Sequence, residues 1–183
     1  MAMNQANVTI RPENPSEYEA VNQLIYEAFA QQHGMETGQF MMEHFMKERK
    51  KGTFIPELSL VAVLENGAIV GEVALHETDI VTKNGNVTQL VLSQSAVLPQ
   101  YRMRGIMRML VEHALKKAEK LGYGAVFLGG NPNLYARFGF EPSSTYGIYH
   151  ENRKKWGDQG FMVCLLKSGA LDGITGTTSY YGG

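Results

Sequence analysis

Residues 96–108 read AVLPQYRMRGIMR, and this stretch joins the end of an apolar strand to the start of a helix. Pro99 ends the strand, and Gly105 precedes a helical repeat of apolar residues from Met107 to Leu121. A helix amino terminus offers N–H groups and the positive end of the helix dipole. Gly105 lets the backbone approach an anion closely, and three arginines add charge-assisted hydrogen bonds. The stretch indicates a phosphate or pyrophosphate site, although solvated arginines at a basic helix start explain it equally well.

Strands and helices alternate on both sides of this turn. Before it we predict a strand at 8–10, a helix over 16–31 opened by a Ser16–Glu19 capping box, and a second helix near 40–48. The apolar residues of that second helix are expected in the core (Phe40, Met41, Met42, Phe45 and Met46). Strands over 58–64, 69–79 and 87–98 follow as a meander, because Asn-Gly turns separate them.

The elements after the turn complete an α/β pattern. We predict a helix over 107–121, a buried strand at 125–128, a short helix within 131–138, and strands near 145–149 and 161–167. The last segment, 168–183, is expected to be an extended tail. Neither a repeat nor a linker divides the sequence, so a single domain over 1–183 is predicted.

Composition excludes several classes of protein. The 183 residues are 44% hydrophobic, which argues against disorder, and 17 basic against 18 acidic residues give no broad footprint for nucleic acid or an anionic membrane. One cysteine excludes an intramolecular disulfide framework. The sequence has no signal-peptide pattern and no apolar run near the ~20 residues of a membrane span, so a cytoplasmic location is expected. The histidines lack metal-ligand spacing, so no metal is expected.

Two motifs carry a resemblance to a known family. Residues 97–107 resemble motif A of the GNAT superfamily, the Gcn5-related N-acetyltransferases, with its pattern Gln/Arg-x-x-Gly-x-Gly/Ala. Residues 131–140 resemble motif B, in which an Asn precedes a Tyr that stands four residues before Gly-Phe. Residues 169–177 resemble the tail of a bacterial subfamily of predicted N-acetyltransferases. The resemblance covers nearly the whole chain and implies a mixed central sheet with an antiparallel meander, splayed strands and flanking helices.

The resemblance also implies a cofactor, acetyl-CoA. Its diphosphate would lie on the backbone amides of residues 102–108 (Arg102, Met103, Arg104, Gly105, Ile106, Met107 and Arg108). The family has a second Gly or Ala where this chain has Met107, so that side chain must point away from the diphosphate or narrow the site. The pantetheine arm would pair with the backbone of Ala96, Val97 and Leu98 as an extra strand, and this edge would also supply an N–H to the oxyanion.

The implied reaction is direct attack of an amine on the acetyl carbonyl. Tyr135 matches the general acid that protonates the CoA thiolate, and Asn131 is expected to orient its loop or the CoA arm. Glu72 and His76 on one face of the strand over 69–79, or Glu77 on the other, could act as the general base. Ser93 and Ser95 could instead hold a water molecule, so the base is not assigned to one residue.

Partners follow from the same resemblance. The acceptor is expected to be a small-molecule or peptide amine, bound by the loop over 33–38, the second helix and the loop after Tyr149. Neither nucleic acid nor a membrane is an expected partner, and an exposed strand edge near the carboxyl end could support a homodimer by analogy of fold.

Two alternatives to an enzyme are compatible with the sequence. The first is a binding module of the same fold that senses acyl-CoA or another phosphorylated ligand without turnover. The second is a nucleic-acid contact through the arginines of residues 102–108, which the overall charge of −1 disfavours.

Overall fold

Strands and helices alternate through residues 7–179, the part of the chain that the computed structural model describes. The strands are β1 (Val8–Pro12), β2 (Phe54–Leu64), β3 (Ile69–Thr82), β4 (Gly85–Val97), β5 (Ala125–Gly129), β6 (Glu141–Pro142), β7 (Ile148–His150), β8 (Phe161–Leu165) and β9 (Gly176–Thr178). The helices are α1 (Tyr18–His33), α2 (Met35–Glu48), α3 (Ile106–Lys120), α4 (Pro132–Tyr135) and α5 (Arg153–Gly160). None of these described helices is long and apolar enough to span a membrane.

The strands form one mixed sheet in the order β1-β2-β3-β4-β5-β8-β6, and β9 pairs with both β3 and β7. The pairs β1–β2, β3–β9, β5–β8 and β6–β8 are antiparallel, whereas β4–β5 and β7–β9 are parallel. Helix α3 connects the parallel strands β4 and β5, as a parallel connection requires. The prediction of an α/β fold with a mixed sheet and an antiparallel meander is confirmed.

The described residues divide into two compact units. The first unit consists of residues 7–75 and 94–114, and the second consists of residues 76–93 and 115–179. Each unit has a core of its own, built on β2 and α1 in the first unit and on β5 and β8 in the second. The prediction of a single domain over 1–183 stays a prediction.

Helices α1 and α2 of the first unit cross at Gly38. A Cβ atom at this position would lie 2.7 Å from the Tyr26 carbonyl oxygen, so only glycine permits the close approach. The buried face of α2 follows from this contact, because Gly38, Phe45 and Glu48 share one helical stripe.

The position of this stripe shows that the predicted burial of the second helix's apolar residues is wrong for two of them. Phe45 is buried and Met41 and Met42 are packed against the core, but Phe40 is 64% exposed and Met46 is 39% exposed. Residues 40 and 46 lie off the stripe that Gly38 and Phe45 define, so their side chains project into solvent.

The start of α1 differs from the predicted capping box. A turn of 3₁₀ helix over Pro15–Glu17 precedes α1, and the Asn14 amide donates to the Glu17 carboxylate at 2.9 Å. The predicted box at Ser16 and Glu19 is therefore wrong by two residues. The pKa of Glu17 falls to about 2, chiefly because Arg11 donates hydrogen bonds to its carboxylate.

The second unit includes part of the segment predicted as an extended tail. Leu171 is buried in the core, and residues Gly176–Thr178 form β9. Thr78 and Thr178 share a hydrogen bond of 2.8 Å between their hydroxyl groups. These contacts attach residues 171–178 to the rest of the unit, whereas residues 180–183 lie outside the described part.

A buried ion pair joins the elements of the first unit. Two nitrogens of the Arg49 guanidinium donate to the two carboxylate oxygens of Glu13 at 3.0 and 2.8 Å, and Arg49 also donates to the Asn22 side chain. Ser59 donates to Glu13 at 2.7 Å. Only 5% of the Arg49 side chain and 2% of the Glu13 side chain are exposed, so each charge depends on the other for compensation.

Substitution of Arg49 tests this dependence. We expect R49M to lower the free energy of unfolding by about 3–5 kcal/mol, because it leaves the Glu13 carboxylate buried and uncompensated. The double variant E13Q/R49M should recover part of that loss in urea denaturation.

The matched control is the exposed pair between Arg11 and Glu17, whose side chains are 33% and 22% exposed. R11M should cost no more than about 1 kcal/mol. Equal losses in R11M and R49M would contradict a special role for the buried pair.

Candidate functional site: a phosphate loop and a packed tyrosine

The turn between β4 and α3 presents backbone N–H groups. Met103 has a φ of 61° and Gly105 a φ of 78°, so left-handed residues alternate with ordinary ones, as in backbone concavities that bind anions. The Met109 amide donates to the Gly105 carbonyl at 3.0 Å, which makes this the first hydrogen bond of α3. The N–H groups of the preceding turn have no intrahelical acceptor. Nothing lies within 4 Å of a Cβ atom built on Gly105, so the space above this glycine is open.

The three arginines of residues 102–108 have different surroundings. Arg102 donates to the Val97 carbonyl at 3.2 Å and to the Ala28 carbonyl at 2.8 Å, so its side chain holds the loop against the first unit. The Arg104 guanidinium lies 5.4 Å from the centroid of the Tyr101 ring, and Arg108 is 3.5 Å from the Glu112 carboxylate. Arg104 and Arg108 are exposed and can reach an anion, whereas Arg102 is occupied by carbonyl groups.

At the carboxyl end of β4, neighbouring residues direct their backbone groups to opposite edges of the strand. The Leu98 amide donates to the Val70 carbonyl at 3.0 Å, and a Cβ on Gly71 would lie 3.2 Å from the Ala96 carbonyl oxygen. Ala96 and Leu98 therefore direct their backbone groups toward β3, and strand alternation directs those of Val97 to the opposite edge. The expectation that all three residues offer their backbone to a ligand stays a prediction, and Val97 is the residue whose backbone is directed away from β3.

Tyr135 lies in the second unit, at the carboxyl end of α4. The Asn131 side chain accepts from the Asn133 amide at 3.0 Å, so Asn131 caps α4. The Tyr135 ring is half-buried and meets Phe138 and Phe140 edge-on, with centroids 6.3 and 6.0 Å apart. These contacts fix the direction of the phenol ring.

Two consecutive glycines support aromatic rings in the same unit. A Cβ on Gly130 would lie 2.7 Å from Cε2 of Tyr135, and a Cβ on Gly129 would lie 2.6 Å from Cε2 of Trp156. Sequence reasoning did not single out this pair, although a Gly-Gly at the end of an apolar strand is a signal of close backbone approach. Gly130 is therefore the residue that makes room for Tyr135.

The base candidates on β3 differ in environment. Glu72 and His76 are both 1% exposed, Glu72 in the first unit and His76 at the start of the second. Burial raises the pKa of the Glu72 carboxyl well above its usual range, the Glu13 carboxylate adds to the rise, and Arg49 partly opposes it. Glu77 accepts a hydrogen bond of 2.6 Å from the Tyr123 hydroxyl. Burial and this carboxylate raise the pKa of Tyr123 to about 12, so Glu77 is engaged in a structural contact.

Gln94 is a polar residue that sequence reasoning missed. It is 3% exposed, and neither of its amide atoms has a hydrogen-bond partner among the described residues. Both carboxylate oxygens of Glu72 share this property. No group of three or more His, Cys, Asp or Glu side chains within residues 7–179 has a geometry that could hold a metal ion.

Comparison with known proteins identifies the family of this chain. The family described as the acetyltransferase (GNAT) domain matches residues 9–143. The chain belongs to the GNAT family. Within this GNAT chain, the matched range includes both the loop between β4 and α3 and the tyrosine at the end of α4.

Individual GNAT relatives extend the comparison. The uncharacterized N-acetyltransferase YhbS of Escherichia coli K12 is 36% identical over 127 residues, which are 68% of this chain and 72% of YhbS. The crystal structure of E. coli YhbS in complex with CoA covers 94% of this chain and 88% of its own, with a TM-score of 0.81 and 28% identity. A GNAT acetyltransferase from Brucella melitensis, solved with acetyl-CoA, has a TM-score of 0.70 at 21% identity over 95% of this chain and 96% of its own, a likeness of fold.

The packing of Tyr135 against Gly130 leads to a first prediction for the site. G130A should lower the free energy of unfolding by about 1–3 kcal/mol and displace the Tyr135 ring, because the added methyl group overlaps it. Urea denaturation and the NMR signals of labelled tyrosine measure the two effects.

The control is G52A, since nothing lies within 4 Å of a Cβ atom at Gly52. An unchanged Tyr135 signal in G130A would contradict the proposed support of the ring.

The pKa of Glu72 leads to a second prediction. The folded protein holds the Glu72 proton more tightly than the unfolded chain, in which the pKa of Glu is ~4.3. The contribution of Glu72 to stability is therefore fully present below that value and is lost as pH rises through the raised folded pKa. E72Q should remove this loss, so that the variant gains stability relative to the wild type at alkaline pH.

Urea denaturation across a pH series measures this difference. The control E57Q changes an exposed carboxylate and should leave the pH dependence as it is. Parallel pH profiles for the wild type and E72Q would contradict the raised pKa.

Proposed function

We propose that this GNAT protein transfers the acetyl group of acetyl-CoA to a primary amine of a small molecule or peptide. The observation that carries the proposal is the turn between β4 and α3, where left-handed residues precede a helix amino terminus, exposed arginines lie nearby and the space above Gly105 is open. A diphosphate fits this chemistry, since backbone N–H groups and the helix dipole stabilise its charge. The CoA complex of the related E. coli YhbS supports the same cofactor here.

The pantetheine arm would extend from the loop along β4. Within the described residues, the β4–β5 ladder pairs Leu90 with Val126 and Val91 with Phe127, while β4 continues to Val97. The Val97 carbonyl accepts from Arg102, so its N–H, directed away from β3, is the group that would pair with a carbonyl of the arm. Met107 is half-buried in the first turn of α3, and its side chain would have to stay clear of the diphosphate.

The proposed reaction has two proton transfers. The amine nitrogen attacks the acetyl carbonyl carbon, a backbone N–H stabilises the oxyanion, and the bond between carbon and sulfur then breaks. Tyr135 would give its proton to the CoA thiolate, since a phenol held in one orientation by Gly130, Phe138 and Phe140 is a positioned acid. The base that accepts the amine proton would be Glu72 or His76.

Glu72 fits the role of base in one respect. A carboxyl with a raised pKa is a stronger base once ionised than an ordinary carboxylate. If Glu72 is the base, kcat/KM rises with pH through the raised pKa, and E72Q loses this rise.

Thermal melting with acetyl-CoA, CoA and ATP tests the cofactor. A ligand at ~100 times its Kd adds about 2.7 kcal/mol of stability. For a chain of this size that corresponds to a rise in Tm of roughly 5–11 °C. We expect this rise with acetyl-CoA and CoA but not with ATP. A flat response to both CoA species would overturn the proposed function.

Y135F tests the enzyme against the alternative of an acyl-CoA sensor. We expect thiol release from acetyl-CoA in the presence of amines to fall by about 10²–10⁴-fold, with the melting response to CoA retained. The control Y146F removes a hydroxyl that donates to the Glu141 carboxylate at 2.6 Å, and it should keep its activity. Equal turnover by Y135F and the wild type would contradict the role of Tyr135 as the acid.

A further inference from the structure

Two buried polar side chains of the first unit have no hydrogen-bond partner among the described residues. Glu72 is 1% exposed and Gln94 is 3% exposed, and their four terminal atoms are all without a partner. A buried donor or acceptor without a partner costs about 1–3 kcal/mol. Folded proteins rarely keep several such groups together unless a ligand or an ordered water completes them. The pair therefore indicates a binding position.

The register of β3 and β4 brings these two side chains to one face. The hydrogen bond from Leu98 to Val70 places Glu72 beside Ala96. Ala96 and Ala74 belong to the same core cluster, so the face of β3 that carries Ala74 and Glu72 also faces Ala96. Gln94 lies two residues before Ala96 on β4, so its side chain is on that same face. Diagonal neighbours of this kind have Cα atoms ~7–8 Å apart, a gap that a small polar molecule can bridge.

The charges around this position are already compensated. The Arg49 guanidinium donates to both Glu13 oxygens and to Asn22, so it is not available to a ligand anion. Burial raises the pKa of the Glu72 carboxyl well above its usual range, so this position beside the Gln94 amide favours uncharged groups. Such a pair can donate and accept hydrogen bonds, but it cannot neutralise a buried carboxylate.

We propose that Gln94 binds the acceptor through an uncharged hydrogen-bonding group, a hydroxyl or amide, and so places the acceptor amine next to Glu72. The inference rests on the proposed function, because it assigns the acceptor of the same acetyl transfer. The acceptor class is then a primary amine with a hydroxyl or amide a few bonds away. Gln94 is its specificity-determining residue.

A series of four amines with the same three-carbon chain tests this assignment. Butylamine, aminopropanol, aminobutanoate and diaminopropane end in a methyl, a hydroxyl, a carboxylate and a second ammonium group. Thiol release from acetyl-CoA gives kcat/KM for each amine. We expect aminopropanol to exceed butylamine by about tenfold, the effect of one hydrogen bond, and to exceed both charged amines.

The variant Q94M keeps the length of the side chain and removes its polar atoms. Q94M should give equal kcat/KM for aminopropanol and butylamine. Q23M, the same change at an exposed position of α1, should keep the preference for aminopropanol. If Q94M does not fold, the wild-type series decides by itself.

Several outcomes would overturn the inference. They are equal kcat/KM for aminopropanol and butylamine in the wild type, a preference for a charged amine, no acetylation of any of the four, or a preference that survives in Q94M. The melting response to acetyl-CoA separates this failure from that of the proposed function. If acetyl-CoA still raises Tm but aminopropanol is not preferred, only the acceptor assignment is overturned. If acetyl-CoA no longer raises Tm, the proposed cofactor is overturned.

Discussion

The ion pair between Arg49 and Glu13 is the constraint on which the first unit depends. Glu13 follows β1, Arg49 follows α2, Ser59 lies on β2 and Asn22 on α1, so one buried cluster joins four elements. A buried ion pair is stable only when its geometry is good and its remaining polar atoms are satisfied. Both conditions hold, since the guanidinium also lies 4.3 Å from the ring centroids of Tyr18 and Phe45. Small shifts of α1 or α2 would separate these buried charges, and their desolvation would then be uncompensated.

The same pair sets the state of the neighbouring carboxyl. Burial is the largest cause of the raised pKa of Glu72, the Glu13 carboxylate adds to the rise, and Arg49 opposes it. The ion pair of Glu13 and Arg49 and the carboxyl proposed as a base therefore share one polar interior. The Glu13 and Glu72 carboxyl groups differ in their hydrogen bonds. Glu13 accepts hydrogen bonds from two residues, whereas Glu72 accepts none within the described chain. Buried polar groups are nearly always hydrogen-bonded, so the unsatisfied Glu72 is the group in this interior that a water or a ligand would complete.

The sequence was sufficient for features that depend on local pattern. Helical periodicity and glycine turns predicted most strands and helices, and the arginine-rich turn at Gly105 predicted the loop that the structure shows. Features that depend on distant contacts were not predictable. The exposure of Phe40 follows from the crossing at Gly38, and the engagement of Arg102 depends on a carbonyl 74 residues away. No periodicity within α2 or the loop could reveal either contact.

This distinction also explains why the cofactor is easier to read from the sequence than the acceptor. The anion site proposed at residues 102–108 would use backbone groups, and the sequence must only permit their geometry with a glycine and a helix start. That requirement is local and leaves a short motif. The proposed acceptor position uses side chains from separate strands, Glu72 on β3 and Gln94 on β4, and their chemistry is set by burial and neighbouring charge. A buried neutral acid and a solvated carboxylate are written with the same letter, so this specificity becomes visible only in the folded chain.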